Sequence, residues 1–353
     1  MLPRARRMLA GTIATWATLT LLAAVITGAA HAADKVGVGI GGSVGDTPLH
    51  IAEAKGYFRQ LGLDVTLIGL DSGAKVIAPL GTGELDAGSG ALSVAFYNAV
   101  ARGISFKVVA DRGHTEPGFY LYQTIFIRRD LIDSGEFKSV ADLKGRKMGF
   151  AASGVASLSV LNEAAKLGGI SFEDIEKVFM PFPQMIAAFQ NKAIDGSIYI
   201  EPQATIMVKR GMGVRFKDTE SFYPGQQISV IFFSDRFATE RRDVASRFTK
   251  AWLMAVRDYN DGLADGRLIA PGAEPIVDIV AKTFNLAPDL VREIYSHAVS
   301  PGGQVNVAAL QKDLDFFVGK GWVPAAVKLA AIVDMSFVDR ANTELGPYQR
   351  KAN

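Results

Sequence analysis

The chain has 353 residues, with 38 lysines and arginines against 36 aspartates and glutamates and a formal charge of +2 at pH 7. Its basic residues are not clustered, which argues against a nucleic-acid partner because phosphate binding needs grouped Lys and Arg side chains. The complete absence of cysteine excludes disulfides and a cysteine nucleophile.

The first 32 residues have the pattern of a cleavable signal peptide. Arg4, Arg6 and Arg7 precede an uncharged apolar run, residues 8–27, and an Ala-x-Ala sequence ends just before Ala33. This order predicts cleavage after residue 32. The alternative is an uncleaved membrane anchor, since an apolar run of about 20 residues can span a bilayer.

Cleavage would change the charge of the protein and its expected location. Residues 33–353 contain three fewer arginines, so 35 basic side chains face 36 acidic ones and the formal charge becomes −1. A chain of this length can bury a large core divided between two domains. Because a lipoprotein needs a cysteine at its cleavage site, we expect no lipid anchor and a protein that diffuses freely in the periplasm.

Short apolar runs alternate with amphipathic segments along the chain, which is the pattern of α/β domains. In chain order we predict a strand at 35–40, a helix at 49–61, a strand at 63–70, a helix at 75–81, a strand from 86 to 89, a helix at 93–102, strands at 106–110, 121–128 and 147–151, and helices at 245–263, 308–317 and 325–332. The long helices are concentrated at the end of the chain.

One internal similarity suggests a duplicated architecture. Residues 77–89 align without gaps with residues 186–198, and both read as a helix, a polar turn and a step into a strand at Asp86 or Asp195. The offset is 109 residues, far longer than the repeats of about 20–50 residues that build solenoids. We therefore predict two similar lobes; chance similarity of helix–turn–strand units is the alternative.

Patterns for catalysis and metal binding are weak. His50, His114 and His297 lie far apart without His-x-x-His spacing, so we expect no metal site. Residues 37–42 fit Gly-x-Gly-x-x-Gly, but a dinucleotide site needs these glycines between a strand and its helix, whereas two lie inside the predicted strand. An exported nucleotide-dependent enzyme is therefore the less favoured alternative, and no cofactor is expected.

Three turns rich in small residues, 42–47, 88–93 and 152–157, lie where a strand should meet a helix. Ligands of open α/β sheets bind beyond the carboxyl ends of the strands, where the next helix offers unpaired N–H groups. Serine and threonine add donors, and glycine allows close approach. Helix capping explains each turn alone, but three such turns in two similar lobes predict a shared ligand cleft.

These segments resemble the solute-binding proteins of ABC importers, in the branch that binds sulfonates, taurine, nitrate and thiamine precursors (NMT1/THI5-like). The resemblance covers nearly all of the chain after the signal peptide and is carried by residues 47–58, 61–65, 83–88, 142–147, 199–202 and 311–317.

The resemblance implies the α/β fold of a type II periplasmic binding protein, with two α/β lobes around a ligand cleft. Residues 33–124 and 230–353 would form the first lobe and 125–229 the second. The two crossover strands that join them would lie near 122–127 and 227–232.

The resemblance also implies which residues contact the solute. They are Thr47, Ser89, Gly90, Ala91, Ser153, Gly154, Val155, Ala156, Ser157 and Glu201. Less specific candidates are Ser43, Ser72, Arg112, His114, Tyr122, Gln184 and Tyr199. Phe119, Tyr120, Phe182 and Tyr199 could form walls for an apolar ligand body, with core packing as the alternative.

The function implied is that of a monomeric periplasmic receptor that delivers a small organic solute to an ABC permease and its ATPase in the inner membrane. Serine- and glycine-rich turns suit a sulfonate, a carboxylate or a zwitterion such as taurine. Glu201 would prefer an amine or amidine, which makes an aminopyrimidine the alternative. Fungal pyrimidine-synthesis relatives depend on a cysteine-rich motif that this chain lacks, so a receptor is favoured over an enzyme.

Overall fold

The computed structural model describes residues 32–70 and 73–351. Residues 1–31 of the predicted signal peptide and Ser72 lie outside the described residues, as do the side chains of Tyr120 and Phe182. Within the described part of the chain, no helix is both long and apolar enough to cross a membrane.

In the described part of the chain, ten strands form two sheets of five. The strands are β1 (Asp34–Ile40), β2 (Leu63–Gly69), β3 (Ala87–Gly90), β4 (Phe106–His114), β5 (Gln123–Arg128), β6 (Lys147–Phe150), β7 (Glu176–Phe179), β8 (Gly196–Ile200), β9 (Gly213–Asp218) and β10 (Gln227–Ser234). The first sheet has the order β2-β1-β3-β10-β4 and the second the order β7-β6-β8-β5-β9. We call each sheet with the helices packed on it the first and the second lobe.

The two sheets repeat one topology. In the first, β2, β1 and β3 are parallel and β10 is antiparallel to both of its neighbours. In the second, β7, β6 and β8 are parallel and β5 is antiparallel to both of its neighbours. Residues 77–89 and 186–198 lead into equivalent strands, β3 and β8. In each lobe, the antiparallel strand is the first strand after the chain crosses over from the other lobe.

Fourteen helices are present among the described residues. They are α1 (Thr47–Ala54), α2 (Tyr57–Gln60), α3 (Ile77–Thr82), α4 (Val94–Ala101), α5 (Arg129–Asp133), α6 (Ser157–Leu167), α7 (Phe182–Gln190), α8 (Gln203–Lys209), α9 (Asp235–Thr239), α10 (Arg242–Asp261), α11 (Glu274–Phe284), α12 (Pro288–Glu293), α13 (Val307–Gly319) and α14 (Ser336–Leu345). The predicted helix 49–61 is divided because Gly56 adopts a left-handed backbone with φ 74°.

The predicted helix at 325–332 is wrong. Only a short 3₁₀ turn forms there, Leu329–Ala331. The Val108 N–H donates to the Ile332 carbonyl at 2.8 Å, and the Asp334 N–H donates to the Val108 carbonyl at 2.9 Å. The chain is extended at this point because its backbone pairs with the edge strand β4. The apolar residues that suit a helix pack into the core there instead.

Each sheet is covered on both faces because its strands contain consecutive apolar residues, whose side chains point alternately to the two faces. In β10, Ile231 enters a core with α1, α10 and α11, whereas Phe232 enters a core with α4 and α13. In β5, Ile125 packs with α6, and Phe126 packs on the other face with α7 and α8.

Helix α13 contacts both lobes. Its Phe317 lies in a core of the first lobe, and its Ala309 lies in a core of the second. Between β9 and β10, the Tyr223 hydroxyl donates to the Asp313 carboxylate at 2.7 Å and to the Ala309 carbonyl at 3.1 Å. The lobes are therefore tied together at α13 by polar and apolar contacts.

Candidate functional site

The loops after β3 and β6 meet between the two lobes. The Val94 N–H, at the start of α4, donates to the Gly154 carbonyl at 2.9 Å. Gly154 has a left-handed backbone with φ 70°, and a Cβ added there would lie 2.8 Å from the Val94 Cβ. The predicted turn 152–157 thus contacts the residue that follows the predicted turn 88–93, at the cleft that the carboxyl ends of the parallel strands face.

The third turn, 42–47, reaches the same place through the buried Asp46. Its Oδ1 accepts hydrogen bonds from the Ser89 hydroxyl at 2.5 Å and from Arg112 Nη2 at 2.6 Å, and its Oδ2 accepts the Ser43 N–H at 3.2 Å. Sequence reasoning missed Asp46. Ser43, three residues before it, forms a capping box with Asp46, and this Ser-x-x-Asp spacing could have identified Asp46 from the sequence.

Arg112, one of the predicted ligand contacts, is held by protein groups. Its Nε lies 3.0 Å from Asp46 Oδ1, its Nη1 donates to Ser229 Oγ at 2.9 Å, and its Nη2 donates to Ser43 Oγ at 3.1 Å. The guanidinium also packs on Gly45, where an added Cβ would lie 3.0 Å from Nη2. Arg112 and Asp46 therefore form a buried ion pair in the first lobe's half of the cleft.

The second lobe contains a similar pair at the carboxyl end of β8. Glu201 is fully buried and accepts hydrogen bonds from Arg215 Nη2, from the Thr205 N–H at 3.1 Å and from the Thr205 hydroxyl at 3.0 Å. Burial raises the pKa of Glu201, although Arg215 and Thr205 act in the opposite direction. The carboxylate thus fixes the start of α8.

Tyr122 lies between these two pairs. It is buried just before β5, and burial raises its pKa to about 12. The charges of Arg112, Asp46 and Glu201 all act on its hydroxyl. The two ion pairs, one from each lobe, are therefore within electrostatic reach of a single side chain at the base of the cleft.

His114 ends β4 next to this base. Its Nδ1 lies 2.7 Å from Asp111 Oδ2, and Asp111 also accepts Gln227 Nε2 at 2.6 Å and the Ser300 N–H at 2.7 Å. Burial lowers the pKa of His114, but the hydrogen bond and charge of Asp111, aided by Glu116, outweigh burial and raise it overall. His114 is thus a partner of a carboxylate that joins three segments of the first lobe.

Most of the other candidates belong to the loops that meet in the cleft. Those in the loops after β3 and β6, or at their ends, are Gly90, Ala91, Ser153, Val155, Ala156 and Ser157. Thr47 starts α1, and its hydroxyl donates within its own turn to the Val44 carbonyl at 2.7 Å. Gln184 is exposed on α7.

The aromatic candidates with described side chains lie in the cores. The Tyr199 ring packs against those of Phe126 and Phe189, with centroids 5.4 and 5.6 Å apart, and burial raises its pKa. Phe119 packs against a core of the first lobe. Because side chains alternate along β8, Tyr199 faces α7 and α8.

No group of three His, Asp or Glu side chains is arranged to hold a metal ion within residues 32–70 and 73–351. The chemistry available at the cleft is that of hydroxyls, backbone groups of the loops and two carboxylates, Asp46 and Glu201, that are each paired with an arginine. Such an arrangement can bind a polar solute.

Residues 29–267 match the model of the NMT1-like family. A Brucella abortus protein named only as a binding protein is 28% identical over 158 residues, covering 42% of this chain and 41% of the relative. An Escherichia coli K12 protein named for binding aliphatic sulfonates is 24% identical over 277 residues, covering 75% of this chain and 77% of the relative. The chain thus spans about two fifths of the length of the Brucella relative.

An enzyme is also similar over a shorter segment. The 4-amino-5-hydroxymethyl-2-methylpyrimidine phosphate synthase of Aspergillus parasiticus is 29% identical over 131 residues, which cover 37% of this chain and 35% of the enzyme. The more extensive match, to the Escherichia coli relative, is to a binding protein.

The fold is shared with solved structures. The periplasmic nitrate-binding protein NrtA of Synechocystis PCC 6803 superimposes with a TM-score of 0.72 at 15% identity, covering 88% of this chain and 89% of that one. The expected periplasmic-binding-protein fold of two α/β lobes is confirmed. The exact lobe boundaries and the set of solute contacts stay predictions.

Proposed function

Because this chain belongs to the NMT1-like family, we propose that it is a receptor for a small organic solute, which it passes to an ABC permease. The observation that carries this proposal is the meeting of the loops after β3 and β6, where Val94 bonds to Gly154 between the lobes. A solute held between these loops would contact both lobes at once.

Capture would work by closure of the two lobes. A ligand shifts an equilibrium between open and closed forms only by binding the closed form more tightly. Polar groups of the loops after β3 and β6 would provide that difference, because they face one solute only when the loops are together. The closed form is then the one presented to the permease.

The donors at the cleft favour a solute with a sulfonate or carboxylate head, including a zwitterion such as taurine. Backbone N–H and hydroxyl groups are donors that suit oxygen acceptors. An aminopyrimidine was suggested by Glu201, but this carboxylate is already paired with Arg215 and Thr205. We therefore place the sulfonate and carboxylate classes first.

The receptor would work in the periplasm as a monomer, after removal of residues 1–32, with a permease and an ATPase as partners. The signal-peptide pattern and the absence of a cysteine for lipid attachment support this location. The nitrate-binding and sulfonate-binding relatives support a transport partner over a catalytic role.

The test has two stages. Native mass spectrometry of protein purified from periplasm identifies any co-purified solute, and a thermal-shift panel of sulfonates, carboxylates, taurine, aminopyrimidines and nucleotides follows. A solute that binds only the folded state adds about 2.7 kcal/mol of stability at about 100 times its Kd. We expect a shift with a sulfonate or carboxylate. Shifts confined to nucleotides, or turnover of a bound compound, would contradict a receptor.

A further inference from the structure

Asp46 occupies an unusual place for a carboxylate in a site expected to receive an anion. It is fully buried at the carboxyl ends of β1, β3 and β4 and bonds to Ser43, Ser89 and Arg112, which are all predicted solute contacts. A buried carboxylate without a partner is costly. Asp46 therefore depends on Arg112 to compensate its buried charge.

The guanidinium of Arg112 is directed inward by four hydrogen bonds. Two go to Asp46, one to Ser229 and one to Ser43, with distances between 2.6 and 3.1 Å. The backbone of Gly45 closes over it. A free guanidinium is the strongest side-chain partner for a sulfonate or carboxylate. Here the guanidinium of Arg112 is already paired with the carboxylate of Asp46.

We propose that Asp46 sets the charge preference of the cleft by holding Arg112 in an internal ion pair, so that the solute's head group is bound by neutral donors. This inference rests on the proposed receptor function. It predicts that loss of the Asp46 charge converts the first lobe into an anion-selective surface, whereas loss of the Arg112 charge makes it repel anions.

A second aspartate of the same sheet provides a matched control. Asp86 accepts Arg241 Nη1 at 2.7 Å and the Gly37 N–H at 3.0 Å, and thus also binds one arginine and one backbone amide. It precedes β3, at the opposite end of the sheet from the cleft. Asp86→Asn therefore removes an arginine–aspartate pair that is more exposed and lies at a distance from the solute.

The experiment compares two probes that have nearly the same shape and differ in charge, pentanesulfonate and its neutral analogue pentanesulfonamide. Calorimetry gives the Kd ratio of the two for the wild type, Asp46→Asn, Arg112→Gln, the double variant and Asp86→Asn. Circular dichroism and thermal melts verify that each variant is folded. The ratio reports selectivity, which a purely structural loss would not move because both probes would weaken together.

We expect Asp46→Asn to shift the ratio about tenfold toward the sulfonate and Arg112→Gln to shift it about tenfold toward the sulfonamide. The double variant should return to within about twofold of the wild type, and Asp86→Asn should stay within the same limit. An unchanged ratio in both single variants, with binding retained, would overturn the role of Asp46 alone. Absence of binding by the wild type to either probe would overturn this inference, whereas absence of a thermal shift with every sulfonate and carboxylate of the panel would overturn the proposed function.

Discussion

Glu201 illustrates how a charged residue at a cleft can stabilise the fold instead of binding the solute. Its carboxylate is fully buried and is shared between Arg215 and both donors of Thr205. Removing one partner of a buried pair leaves the other uncompensated, which costs more than the pair contributes. Glu201 should therefore affect the stability of the second lobe more than its affinity for solute.

We expect Glu201→Gln to lower the free energy of unfolding by about 3 kcal/mol, because the Arg215 charge loses its partner. Urea unfolding followed by circular dichroism measures this. Glu293→Gln is the control: Glu293 pairs with Lys209 across the lobes, but both side chains are about half exposed, so the loss should be under about 1 kcal/mol. Weaker solute binding with unchanged stability in Glu201→Gln would instead favour direct contact with the solute.

At the scale of elements, the loop after β6 is shaped to approach the other lobe. Gly154 combines a left-handed backbone with a close approach to Val94. Any side chain at this position meets both a conformational cost and a steric conflict. The two effects can be separated, because Gly169 has a similar φ of 64° with nothing near its missing Cβ.

Gly154→Ala is expected to weaken solute binding at least about tenfold, because the added methyl group separates the loops that must meet. Small-angle scattering should show a more open form in the presence of solute. Gly169→Ala should lose about 1 kcal/mol of stability from backbone strain alone and keep its affinity. Equal affinities for the two variants would mean that the Val94–Gly154 contact is not part of the closed, solute-bound state.

At the scale of the whole molecule, α13 places an acidic residue at the junction of the lobes. Asp313 is buried and accepts the Tyr223 hydroxyl. Around it are Tyr97 on α4, Glu163 on α6, and Lys312, whose ammonium pairs with Glu163 at 2.7 Å. Burial raises the pKa of Asp313 to about 7.

This shift makes the stability of the fold depend on pH. Between about pH 4 and pH 7 the folded protein keeps a proton on Asp313 that the unfolded chain releases, so the free energy of unfolding falls as pH rises, by about 1.4 kcal/mol per pH unit from this group. Asp313→Asn should remove that slope, as measured by urea unfolding between pH 4 and 8. Asp315→Asn, exposed on the same helix, should leave it unchanged. A slope that persists in Asp313→Asn would assign it to another group.

The sequence was informative where periodicity and turns decide the structure. Strand 35–40 and helix 245–263 differ from the observed Asp34–Ile40 and Arg242–Asp261 by three residues at most, and the long-range similarity correctly indicated two lobes. The ion pairs could not be predicted from the sequence, because their partners are far apart along the chain: Arg112 lies 66 residues from Asp46. A candidate list made from motifs names Arg112 and Glu201 but not the partners that neutralise them.

The position of β10 has a consequence for the order in which the chain can fold. The strands of the second sheet, β5 to β9, follow one another without interruption, whereas the first sheet has a gap between β3 and β4 until β10 is available. When the chain is synthesised from its amino end, the second sheet can therefore form before the first, although its strands follow β1 to β4 in the sequence. The first sheet stays incomplete until Gln227–Ser234 is available, so its central gap is closed by a segment that lies beyond the whole second sheet in the sequence.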